Sequence, residues 1–215
     1  GTFAKGVPFQ HNPDTGDMRI SGTMASLAGL EEALESNDPT AREMALRRIQ
    51  LLYGIICSIG GVPLIYLGEE WGLLNDYDYL NDPHKSADSR WIHRPRMKWE
   101  LIDELNREAS PRRRIFRGLQ TLFEKRSSLP ALAGNETHVY PSPSPHALLF
   151  QRRYFGNLAL ILANFSEHTL SIDGEHLRRT GVGHFFTDHL TGRDYGTRQP
   201  VVLAPYEFLW LSPDT

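Results

Sequence analysis

Apolar residues recur at helical spacing through the first part of the chain and at strand spacing through the last. Leu27, Leu30 and Leu34 lie along one side of a segment that the pattern predicts as helix from Thr23 to Leu34. Asp38 then precedes Pro39, an N-cap followed by a proline whose missing N–H is harmless at the first helical position. Ala45, Leu46, Ile49, Leu52, Tyr53 and Ile56 keep the helical period behind this cap until Gly60-Gly61 stops it. Val62 to Leu67 follows as a nearly continuous apolar run, the pattern of a strand covered on both faces. A long polar loop runs from Gly68 to Trp99. Ser110-Pro111 repeats the cap-plus-proline start, and Ile115, Phe116, Leu119, Leu122 and Phe123 mark one face of a helix ending near Arg126. Ahead of all this, Gly1 to Gly22 reads as loop, with a turn at Asn12-Pro13-Asp14-Thr15-Gly16.

Beyond Leu129 the grammar changes. Segments near Thr137–Tyr140, Ala147–Tyr154, Leu158–Asn164, Thr169–Ile172, His184–Thr187, Val201–Leu203 and Phe208–Leu211 are short and strand-like. Pro141-Ser142-Pro143-Ser144-Pro145, Gly156-Asn157 and Asp173-Gly174 supply turns between them. This spacing predicts a small antiparallel β-sandwich over 129–215, with a domain boundary at about residue 128.

Residues 1–128 therefore read as helix, helix, strand, long loop, helix. One strand cannot bury two apolar faces by itself, and a complete (β/α)8 barrel takes roughly 250 residues and eight strands. The expected fold is α/β: the last part of a TIM barrel, with strand eight and its flanking helices, followed by an all-β sandwich. The opening GTFAKGVPFQ has neither an initiator Met nor a helix or strand start, so the sequence reads as cut from something longer.

Composition narrows the classes. A formal net charge of −3 argues against nucleic acid or an anionic membrane surface as partner. No apolar run approaches the roughly 20 residues that span a bilayer. The single Cys57 excludes an internal disulfide and fits a buried thiol in a cytoplasmic protein, a cytoplasmic location being favoured over secretion. The candidate chemistry lies in the loop after the strand. Three of the four tryptophans (Trp71, Trp91 and Trp99) are there among Asp, Arg and His, a composition suited to sugars. Trp91 and Trp99 are expected to pack, and His84 and His93 to hydrogen-bond within the loop.

GGVPLIYLGEEWG at 60–72 resembles the eighth barrel strand of the α-amylase superfamily, glycoside hydrolase family 13. RPRMKW at 94–99 is similar to a segment that follows this strand in sucrose- and maltose-acting members. GVPFQHNPDTGDMRISGT at 6–23 and KSADSRWIHRPR at 85–96 narrow the resemblance to amylosucrase and sucrose hydrolase. It is close from residue 1 to about Arg126 and looser through the β-domain.

The resemblance implies retaining transfer of a glucosyl group from sucrose, to a glucan in amylosucrase or to water in sucrose hydrolase. The family's catalytic carboxylates precede the position matching Gly1, so no catalytic residue is expected in this chain. Glu69-Glu70 is a tempting pair, but the resemblance places Glu70 on a glutamate that supports loop geometry. Arg90 matches an arginine that closes the glucosyl pocket by pairing with an Asp from the preceding part of the enzyme. Arg19 falls beside the fructosyl-side subsite, and Gln10 and Asp17 share its loop block. Expected partners are sucrose, α-glucan and the remainder of the same enzyme. No cofactor is implied. Calcium is not expected, since Asp76, Asp78, Asp82 and Asp88 miss the EF-hand spacing. A third reading, a non-catalytic carbohydrate-binding fragment, would rest on 129–215. The sequons at Asn135 and Asn164 are expected to be fortuitous.

Overall fold

The computed structural model describes residues 2–142 and 144–213. Pro143, at the centre of the expected Pro141–Pro145 turn, lies outside the described residues together with Gly1, Asp214 and Thr215. The chain divides into two compact units, residues 1–49 with 65–117, and 50–64 with 118–215.

The first unit opens not as plain loop but as a hairpin, β1 (Val7–Phe9) paired antiparallel with β2 (Arg19–Ser21). The expected turn sits at its tip, where the Gly16 amide donates to the Asn12 carbonyl at 2.9 Å. The predicted first helix is two, α1 (Met24–Leu27) and α2 (Leu30–Glu35), parted at Gly29. Gly29 has φ +94°, and a β-carbon there would lie 2.9 Å from the Phe3 ring, so the break follows from conformation and space together. Thr23 caps α1 by accepting from the Ser26 amide. The next helix, α3 (Pro39–Ile56), starts as expected, with Asp38 accepting from the Thr40 and Ala41 amides at 2.8 and 3.1 Å. In α4 (Pro111–Ser127), Ile115, Leu119 and Leu122 are buried, while Phe123 is exposed. Near the N-terminal ends of these helices Glu43 of α3 binds Arg114 of α4 and Arg47 of its own helix. The hydrogen bond from Arg114, followed by that from Arg47, outweighs desolvation and brings the Glu43 carboxyl down to about 2.

The strand expected at Val62–Leu67 does not form. A strand is a property of a pair, and among the described residues no strand bonds to 62–67. Its side chains stand in solvent instead, with Val62 93%, Leu64 84% and Leu67 68% exposed. Apolar exposure on this scale marks a surface that needs a partner.

The second unit is built on one six-stranded antiparallel sheet. Its strands are β3 (Glu136–Val139), β4 (Ala147–Tyr154), β5 (Asn157–Asn164), β7 (Phe185–Asp188), β8 (Asp194–Gly196) and β10 (Phe208–Pro213), in the order β3-β4-β5-β10-β7-β8. A smaller sheet pairs β6 (Leu170–Ile172) with β9 (Val201–Leu203). The expected sandwich is thus uneven, and β8 is a strand that its short Asp-Tyr-Gly sequence did not signal. Register explains the long apolar runs. Leu149, Leu162 and Leu209 stand opposite one another on one face, in a core closed by Ile172, Val201, Leu203 and Leu177 of the short helix α5 (Gly174–Leu177). Phe150, Ile161 and Trp210 form the corresponding row on the other face, and all three are buried. The Pro130–Leu132 turn packs on β4 and β5 there, and the Phe208 ring sits against Gly54 of α3, where a β-carbon would come within 2.2 Å.

Two arginines hold the chain just past α3: Arg126 donates to the Cys57 and Gly61 carbonyls, and Arg152 donates to the Ile59 carbonyl at 3.0 Å. Cys57 is fully buried, and desolvation raises its thiol pKa. Asn164 is also fully buried, its amide donating to the His168 and Ala204 carbonyls at 2.7 and 2.9 Å, so its sequon is inaccessible in this fold.

Candidate functional site

All four candidate binding residues lie in the first unit, on the hairpin and on one turn of the long loop. That loop is not featureless; it contains single 3-10 turns at Glu69–Trp71, Asp78–Asn81 and Ser89–His93 and a longer one at Trp99–Asn106. Asp88 is the N-cap of the third turn and Ile92, fully buried, is its anchor.

Arg90 is held by its own cap. Its Nε donates to both carboxylate oxygens of Asp88 at 2.9 and 3.1 Å, and its Nη2 donates to Oδ2 at 2.8 Å. The guanidinium carbon stands 5.1 Å from the centroid of the Phe9 ring, a cation–π contact. Side-chain and backbone hydrogen bonds from Arg90 bring the Asp88 carboxyl down to about 2. Among the described residues Nη1 of Arg90 makes no hydrogen bond, and the side chain is half exposed. One edge of the fork is therefore fixed and the other is available.

The hairpin completes the cluster. Phe9 stands opposite Arg19 in the β1–β2 register, and the Ser89 hydroxyl donates to the Pro8 carbonyl at 3.1 Å, joining the Arg90 turn to β1. Gln10 follows Phe9 with φ +52°, a left-handed conformation that costs a non-glycine residue on the order of 1 kcal/mol and is commonest where function requires it. Asp17 is tied into the tip, accepting from the Thr15 hydroxyl at 2.7 Å. The structure thus brings Arg90, Phe9 and the strand bearing Arg19 together. Gln10 and Asp17 are exposed on the same hairpin and, among the described residues, make no hydrogen bond to Arg90.

The two adjacent glutamates have other work. Glu69 Oε1 accepts from the Met24 amide at 3.1 Å at the start of α1, and Glu70 Oε2 accepts from the Gly68 amide at 2.7 Å. Each satisfies a backbone donor, Glu69 across the unit and Glu70 within its own turn.

Two expectations for the loop, those for Trp99 and His93, need correction. Trp99 is 67% exposed and touches Trp71 edge-on at 5.8 Å, whereas Trp71 is the buried member of that pair. Adjacent bulky residues compete for one core position, and Trp71 occupies it. His84 does hydrogen-bond within the loop, its amide donating to Asp82 Oδ1 at 2.9 Å, whereas the His93 ring forms no hydrogen bond among the described residues. Desolvation, and then the neighbouring Arg94, lowers the pKa of His93.

Sequence reasoning also missed Asn75. Its Oδ1 accepts from the Thr23 amide at 2.9 Å, its amide N–H donates to the Ser26 hydroxyl at 2.9 Å, and its Nδ2 donates to the Lys5 carbonyl at 3.0 Å. One side chain thereby ties the long loop to the hairpin's entry and to α1. A lone Asn after two leucines carries no motif. The Asp-x-Arg spacing at 88–90, by contrast, is a cap signal that was present to be read.

The fold is shared with amylases. AmyP, in a complex of its E221Q variant with maltotriose, superposes with a TM-score of 0.62 at 14% identity, over 80% of this chain and 36% of AmyP. A maltogenic amylase from S. marinus matches with a TM-score of 0.52 at 20% identity, over 80% of this chain and 21% of its own. An Anoxybacillus α-amylase assigned to a new glycosyl hydrolase subclass matches with a TM-score of 0.53 at 22% identity, over 87% and 36%. The chain spans about a third of the length of AmyP and of the Anoxybacillus enzyme, and less of the S. marinus one. Residues 137–212 match the family described as "Amylosucrase, C-terminal domain". This match agrees with the resemblance of the chain to the C-terminal portion of a family 13 enzyme.

Proposed function

We propose that this chain is the C-terminal part of a retaining, amylosucrase-like enzyme that takes the glucosyl group from sucrose. Residues 1–128 supply the end of a (β/α)8 barrel, and 129–215 are the β-domain behind it. The exposed run Val62–Leu67 is strand eight, left without neighbours that the rest of the enzyme provides. The nucleophile and the acid, which a retaining mechanism sets about 5 Å apart, come from that remainder. This chain grips. Arg90, preset by Asp88 and Phe9, offers the free edge of its guanidinium to a carboxylate at the base of the glucosyl pocket, where a fixed planar donor pair closes the site around one hexose. Arg19, Gln10 and Asp17 present donors and acceptors to the fructosyl side.

The observation that carries this reading is that the Asp88–Arg90 pair stands against Phe9 in the same chain as a match to the amylosucrase C-terminal domain. The test is the full-length enzyme incubated with sucrose alone. The proposal expects fructose together with an insoluble or iodine-staining glucan. Free glucose equal to fructose would make it a sucrose hydrolase, and no sucrose cleavage would overturn the reading.

A further inference from the structure

Asn75, Asp76 and Tyr77 stand between the frame made by α1 and α2 and the turn that holds Arg90. Asn75 binds that frame through Thr23 and Ser26. Tyr77 reaches it two residues later: its hydroxyl donates to Glu31 Oε1 of α2 at 2.7 Å and accepts from Asn75 Nδ2 at 3.3 Å. Between the two, the Asp76 amide donates to the Ile92 carbonyl at 2.8 Å. Ile92 is the fully buried anchor of the Ser89–His93 turn, two residues from Arg90.

Glu31 is an unusual tether. It is 4% exposed, and among the described residues its Oε2 makes no hydrogen bond. A carboxylate buried with one oxygen unbonded costs stability, and an apolar side chain of similar volume would pack there at less cost. Tyr77, by contrast, is exposed, so its ring adds little to the core. Packing therefore explains neither residue. What the pair supplies is position: a hydroxyl held by a buried acceptor has one place, and the loop segment has it too. Desolvation, opposed by Asn75 and reinforced by Glu31, raises the pKa of this hydroxyl, so it stays protonated and keeps donating.

We infer that Tyr77, gripped by Glu31, is a positioning residue for Arg90. It fixes residues 75–77, and these, through Asp76 and Ile92, fix the turn that sets the Arg90 guanidinium against Phe9. The use made of Arg90 rests on the proposed function; the tether itself does not. The experiment is a double-mutant cycle in the full-length enzyme, read as fructose release from sucrose. Tyr77→Phe and Glu31→Leu should each lower kcat/KM about tenfold, as a small displacement of a substrate-holding group does. Glu31→Gln should keep most of the activity, since its amide oxygen still accepts from the hydroxyl. Glu31→Leu should at the same time leave the thermal midpoint equal or higher, a split that a merely structural role does not give. In an Arg90→Ala background, Tyr77→Phe should cost nothing further. A tenfold loss equal in both backgrounds, or no loss in either, would overturn the inference. The 215-residue chain gives a second readout by NMR. The Arg90 Nε–H signal, shifted by the Phe9 ring beside it, should move in Tyr77→Phe, and an unmoved signal would also overturn the inference. A full-length enzyme inert toward sucrose would sink the proposed function instead, and the Arg90 signal would still decide the tether.

Discussion

Arg152→Met is expected to destabilise the chain by about 3–5 kcal/mol, the cost of breaking a buried charged hydrogen-bond centre from one side. Arg152 is 1% exposed, and its two terminal nitrogens serve three acceptors, the Ile59 and Gly134 carbonyls and the Thr137 hydroxyl. Methionine fills much of the volume and serves none of them. Desolvation, and then repulsion from Arg126, lowers the Arg152 pKa, so the charge is itself costly to bury and is offset by those bonds. Urea unfolding followed by circular dichroism measures the effect, with a fall in midpoint temperature of roughly 10 °C expected alongside it. Arg152→Lys should fall between, since a single ammonium cannot span acceptors so far apart. A loss below about 1 kcal/mol for the methionine variant would show that the carbonyls find other donors, and that the segment after α3 is not fixed by this side chain.

Arg90→Ala in the full-length enzyme should lower kcat/KM for sucrose by about a thousandfold, or ~4 kcal/mol of transition-state stabilisation. The side chain is half exposed, bound to Asp88 and set against Phe9 at the surface, so the fold should hardly respond; an unchanged thermal midpoint is the control. Lysine restores the charge but not the two-pronged geometry, and Arg90→Lys should recover less than a tenth of the activity. Glu70→Gln provides the contrast. Glu70 accepts from the Gly68 amide within its own turn, and an amide oxygen can accept that bond, so the loss should stay within about tenfold. Fructose release measures all three. An Arg90→Ala enzyme as active as its parent, or a Glu70→Gln enzyme as dead as one lacking its nucleophile, would reverse the roles assigned here.

Local signals were legible where one element is stabilised by its own residues. Asp38-Pro39 and Ser110-Pro111 started helices where a cap followed by proline requires it. Leu158–Asn164 announced a central strand because both of its faces are buried by other elements of this chain. The pattern failed where structure depends on a partner. Val62–Leu67 has the composition of a covered strand, yet without a neighbour its amides have no ladder to join. It was also silent where three residues suffice, as in β8 and in the two strands flanking the 10–18 loop. At the candidate site, Arg90 was legible as a motif residue. Its grip by Asp88, its seat on Phe9 and the anchoring of its loop by Asn75 were not, because each is a contact made by tertiary placement or by cap geometry.

The account turns on a division of labour, with substrate-holding groups in this chain and bond-breaking carboxylates elsewhere. Its most direct test is fructose release from sucrose by the purified 215-residue chain alone. The predicted result is no release above the uncatalysed background at any enzyme concentration. Turnover that scales with the amount of chain would contradict that division outright, most pointedly if Glu69→Gln or Glu70→Gln abolished it.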